Sequence, residues 1–137
     1  MHTILGALQT GLPLLFTQLA VTLGLLAIGV ACYLAVMPFN EIRLIRAGNN
    51  AAGIVLGGVL VALAIPLAAT LASSHVTLDI VVWGAVALVI QLVAFFAVAA
   101  VLHGLRGMIE QGNTAAATLL VGIQIAVALL NAGAVAG

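Results

Sequence analysis

The sequence contains no lysine, and its basic residues are three arginines, Arg43, Arg46 and Arg106. Acidic residues also number three, so charged side chains make up 4% of the chain and the net charge is zero. A soluble domain carries roughly 25% charged residues to face water; a surface this poor in charge is satisfied only by lipid. Three arginines cannot neutralise the row of phosphates that a nucleic acid presents, which excludes nucleic acid as a partner. The single cysteine, Cys32, excludes an intramolecular disulfide and a thiolate metal cluster. No basic residue precedes the first apolar run, so that run is read as a retained helix rather than a cleaved signal.

Catalytic groups are equally scarce. No carboxylate sits in the middle of an apolar run, where proton-pumping proteins keep theirs. The histidines, His2, His75 and His103, fall on different sides of the expected membrane, so no three-histidine metal site assembles in one chain. No nucleophile–base spacing and no phosphate-binding glycine loop occurs. The expectation is a protein that is not an enzyme and holds no cofactor.

What is present is 66% hydrophobic sequence. It falls into four runs, at about residues 12–39, 51–72, 80–102 and 115–137. A helix needs about 20 residues to cross the hydrocarbon core. The runs are continuous rather than alternating, which selects helices over barrel strands. Residues 1–11 are too short for a further span; a segment lying along the membrane interface is one place for them, which the sequence leaves open. Pro66 removes one backbone donor and is expected to kink the second span. All three arginines lie in the first and third connections, which predicts that these are cytoplasmic and that both termini are outside.

Half the chain echoes the other half. Gly48-Asn49-Asn50-Ala51-Ala52 matches Gly112-Asn113-Thr114-Ala115-Ala116, sixty-four positions later. At that offset Gly58 meets Gly122. The match predicts two tandem helical hairpins, at about 12–72 and 80–137, within one transmembrane domain covering 1–137. Each hairpin has two spans, so both keep one orientation about an axis along the membrane normal.

The polar residues define the candidate sites. Asn49, Asn50, Asn113 and Thr114 precede two helices and suit N-caps; paired helix N-termini could also attract an anion. Gln91 and Gln124 fall near mid-membrane, where an amide needs a partner. The expectation is that they hydrogen-bond each other; the sharper alternative is a polar path for a solute. Glu41, Arg43, Arg46, Arg106 and Glu110 form a charge set read as solvated loops, or as a docking surface for a cytoplasmic partner. Tyr33 and Trp83 suit interfacial anchoring. Small residues four apart, Gly53/Gly57, Gly58/Ala62, Gly122/Ala126 and the stripe Ala27/Ala31/Ala35, allow close helix packing.

These motifs together resemble a known family. Pro38-Phe39-Asn40-Glu41, Asn49-Asn50-Ala51-Ala52, Trp83-Gly84, Gly112-Asn113-Thr114-Ala115-Ala116 and Asn131-Ala132 are similar to the YjfL-type bacterial inner-membrane family, a duplicated two-helix domain of unknown function. His103 departs from the proline usual in that pattern. The resemblance implies a bacterial inner membrane and four spans, and it implies no activity. The residues themselves point first to an all-α, non-enzymatic membrane component that packs against copies of itself or another membrane protein. The alternative is a small oligomeric channel or transporter for an ion or small solute.

Overall fold

The computed structural model describes residues 2–37, 40–73 and 76–136. His75, Pro38 and Phe39 lie outside the described residues. Four long helices are each long and apolar enough to cross a membrane. They are α1 (His2–Val36), α3 (Asn50–Ser73), α4 (Thr77–Val101) and α6 (Thr114–Ala136). Two six-residue helices, α2 (Glu41–Arg46) and α5 (Leu105–Glu110), occupy the connections that carry the arginines. The fold is an all-α membrane bundle with no strand among the described residues.

Two elements differ from the sequence reading. Residues 2–11 are not a separate interfacial segment; they continue α1, which runs unbroken for 35 residues through Pro13. Nothing in that stretch stops a helix in lipid, where continuing the backbone ladder is the only way to satisfy each amide. The arginine-bearing connections are also not open loops. Asn40 caps α2 by accepting from Arg43 N at 3.1 Å. α2 ends in a Schellman turn, with Gly48 N bonded to Ile45 O and Asn49 N bonded to Leu44 O, both at 2.9 Å. α5 ends the same way, Gly112 N to Ile109 O and Asn113 N to Met108 O. Gly48 and Gly112 both have positive φ, which suits a residue without a Cβ.

α3 is the centre of the bundle. It touches α1, α2, α4, α5 and α6, and packs most extensively on α6. Its inward face is made of small and β-branched residues, among them Ala51, Ala52, Val55, Gly58, Val59 and Ala62. Such a face lets backbones approach closely, which is how helices associate in lipid. Gly58 is the tightest point. A Cβ there would lie 2.9 Å from Val121 Cβ and closer still to its methyl groups. Gly122, which shares its place in the repeat, faces outward with nothing within 4 Å of an added Cβ. The two glycines therefore play different parts. α3 continues as helix through Pro66, and the Thr70 hydroxyl donates to Pro66 O at 3.0 Å.

This asymmetry gives a direct test. Gly58→Ala should destabilise the bundle by about 1–3 kcal/mol through overpacking. Gly122→Ala should be neutral or slightly stabilising, since it adds a helix former on an open face. Thermal unfolding of the two variants in detergent compares them; equal losses would contradict the packing.

Candidate functional site

The polar groups gather in two places, the bundle interior and the end that carries the arginines. In the interior, Gln124 is fully buried and its Nε2 donates to the Tyr33 hydroxyl at 2.9 Å. The geometry follows from helix direction. Side chains lean toward the N-terminus of their own helix, and α1 and α6 run oppositely, so the two side chains lean toward each other. Tyr33 is therefore no interfacial anchor. It is completely buried, and its ring meets Phe95 edge-on with centroids 6.0 Å apart. Trp83 is 44% exposed on α4.

The expected bond between Gln91 and Gln124 is not formed. Tyr33 has taken the Gln124 amide nitrogen, and Gln124 Oε1 has no hydrogen-bond partner. Gln91 is 1% exposed, and neither polar atom of its amide has a partner. Sequence reasoning treated the two amides as alike because they lie at similar depth. It missed Tyr33, whose place near the end of its run suggested a headgroup contact.

At the arginine end, Asn49 does three things. Its Oδ1 accepts from Ala52 N at 3.0 Å, capping α3. Its Nδ2 donates to Ile109 O at 2.8 Å and to Glu110 O at 3.1 Å, two carbonyls at the end of α5. This side chain ties the end of α5 to the start of α3, and the backbone Asn49 N, bonded to Leu44 O, joins them to α2. Asn113 caps α6 through Ala116 N at 3.1 Å. Asn50 and Thr114 are the first residues of α3 and α6.

The charge set divides. Arg106 Nε donates to Glu110 Oε1 at 2.8 Å, one turn apart on the exposed side of α5. Arg43 and Arg46 are exposed on α2. Glu41 breaks the expectation of solvated loops, because it is 1% exposed and both its carboxylate oxygens lack partners. It borders a pocket of about 600 Å³ whose walls include Ala31, Leu34, Ala35, Asn40 and Arg106. A second hollow, of about 480 Å³, lies between Arg43, Arg106 and Glu110, and shares Asn40 and Arg106 with the first. Burial pushes the Glu41 carboxyl up to about 7. Among the described residues, no group of three His, Cys, Asp or Glu side chains is placed to hold a metal ion.

The family model described as Domain of Unknown Function (DUF350) matches residues 7–135. The chain belongs to the DUF350 family. It is 34% identical over 100 residues to UPF0719 inner membrane protein YjfL of Escherichia coli K12, covering 73% of this chain and 76% of that protein. The same protein from Escherichia coli O157:H7 matches equally. No solved structure matches. DUF350 membership and the four apolar helices make this chain a multipass inner-membrane protein.

Two outcomes follow from the buried groups. Gln124→Met leaves the Tyr33 hydroxyl buried without its donor, and should cost about 1–3 kcal/mol. Gln91→Met removes an amide that has no partner, and should be neutral or stabilising; an equal loss in both variants would contradict the arrangement. For Glu41 the sign is set by a folded-state pKa above the usual carboxylate value of 4.5. The folded protein then holds this proton more tightly than the unfolded chain, so stability is highest below about pH 4.5 and falls toward pH 7. The melting temperature of the wild type should drop between pH 5 and pH 8, and Glu41→Gln should flatten that dependence.

Proposed function

We propose that this protein is a non-enzymatic assembly component of the inner membrane that associates with further copies of itself through α1. The observation that carries the reading is the outward face of α1. At about 1.5 Å per residue its 35 residues extend roughly 52 Å, against a hydrocarbon core of about 30 Å. α1 is also the least embedded of the four spans, with 6% of its most apolar window buried in the bundle. On its exposed side, Gly6, Thr10, Pro13, Thr17, Ala20, Gly24 and Ala27 follow one another at spacings of three and four. Those spacings put them on one helix face.

The hydroxyls of Thr10 and Thr17 are turned back onto Gly6 O and Pro13 O, at 2.9 and 2.8 Å, so the face presents little polarity. An added Cβ at Gly6 or Gly24 meets nothing within 4 Å. A smooth groove without knobs fits a second smooth groove, as in a symmetric pair of identical chains. The arginine end is taken as cytoplasmic by the positive-inside rule, with both termini outside. The matching Schellman turns and caps, sixty-four positions apart, support the reading of two duplicated hairpins.

Large residues on this face test the assembly. Gly24→Leu and Ala27→Leu leave the bundle core untouched, and should convert the oligomer to monomer by light scattering in mild detergent. Leu15→Ala, exposed on the opposite side of α1, should leave the oligomer intact. An unchanged mass in Gly24→Leu and Ala27→Leu, or a wild type that is monomeric in lipid nanodiscs, would overturn the proposal.

A further inference from the structure

We propose that the pocket between α1, α2 and α5 at the arginine end binds a zwitterion carrying a primary ammonium and a phosphate, presented by the membrane as a phosphoethanolamine headgroup. The pocket is placed for it, because α1 ends at Val36 and α2 begins at Glu41, where the spans give way to the headgroup layer. One wall is apolar, from Ala31, Leu34 and Ala35 of α1, and suits the glycerol and upper acyl chain of a lipid. The other wall carries Glu41, whose two carboxylate oxygens are buried and without partners. An unpaired buried carboxylate is costly, and a carboxylate turned into the pocket that Glu41 lines would accept from an ammonium and be relieved of that cost.

The second half of the ligand has its own place. Arg106 borders this pocket and the adjoining hollow that Arg43 also lines. Glu110 engages only Nε of Arg106, and a guanidinium has further N–H donors with which to hold a phosphate oxygen. Glu41 and Arg106 therefore border one pocket, and Arg43 borders the hollow that shares Arg106 with it. A purely anionic headgroup would meet the arginines but leave Glu41 unpaired. A trimethylated ammonium would enter without N–H donors for the carboxylate.

The charged and polar groups around Glu41 bear on its response to pH. α1 contributes the Tyr33 hydroxyl, on which the Glu41 charge acts. α5 contributes Arg106, and α2 itself Arg43. The helix sequences of α3 and α6 contain no titratable side chain. Ammonium binding needs the ionised carboxylate, so retention should strengthen as pH rises from 6 to 8.

The test is native mass spectrometry of the full-length protein, in detergent with added phosphatidylethanolamine, phosphatidylcholine or phosphatidylglycerol. The expected result is about tenfold tighter retention of phosphatidylethanolamine than of the other two, stronger at pH 8 than at pH 6. Glu41→Gln should abolish the preference, and Arg106→Gln should weaken retention of phosphatidylethanolamine. Glycerophosphoethanolamine distinguishes the sources. Competition at micromolar concentration would point to a free solute, and no competition to the lipid. Glu41→Gln is close to isosteric, and its melting curve reports whether it folds. Equal retention of the three lipids by the wild type at both pH values would overturn the proposal, as would an unchanged preference in a folded Glu41→Gln protein.

Discussion

The arrangement at the arginine end depends on one amide. Asn49 caps α3, the helix that touches every other element, and the same side chain donates to two carbonyls of α5. α5 follows α4, whereas Asn49 follows α2, so two of the three hydrogen bonds of this side chain join the two halves of the chain. That junction holds the end of α5 against the start of α3, and Arg106 and Glu110 of α5 line pockets together with Glu41 and Arg43 of α2. Asn113 caps α6 but has no corresponding reach in the hydrogen bonds described. The layer is therefore built asymmetrically on two nearly identical turns.

Lipid as solvent explains the rest. Helices gain nothing from leaving lipid for each other except through close packing and polar bonds. The bundle accordingly centres on the small-residue face of α3 and on the Tyr33–Gln124 bond. Two polar side chains are buried at a cost with no protein partner in return, Gln91 in the interior and Glu41 at the rim. Glu41 borders a pocket that Arg106 also lines, whereas Gln91 borders none of the pockets described. α1 presents its apolar flank to the surroundings along most of its length. In the proposed assembly a second copy covers the small-residue part of that flank, and Ala31 and Ala35 remain as the wall of the pocket.

Much of this was legible in the residues. Four runs of suitable length gave four spans, because hydrophobic length is read against a fixed membrane thickness. Residues 1–11 were set apart from the first span because they are too short to cross a membrane alone, although nothing in them stops a helix. The short helices were hidden for a different reason. A six-residue helix has no periodicity to detect, and its signals are an Asn at position 40 and glycines at 48 and 112. The buried Tyr33 and Glu41 were misread from their nearness to run ends. Depth along a helix can be counted from sequence, but which side faces the bundle depends on neighbours brought in by the fold. Gly58 and Gly122 make the same point, since equal places in a repeat lead to a packed and an open environment.

The junction made by Asn49 is tested most directly by comparing Asn49→Ala with Asn113→Ala. Both remove an N-cap, worth about 1 kcal/mol; only Asn49→Ala also removes the side-chain hydrogen bonds to the carbonyls of Ile109 and Glu110. Amide hydrogen exchange across residues 105–112, measured in detergent, should accelerate by about tenfold or more in Asn49→Ala and remain near the wild-type rate in Asn113→Ala. Equal exchange in the two variants would contradict the claim that Asn49 holds the arginine end together.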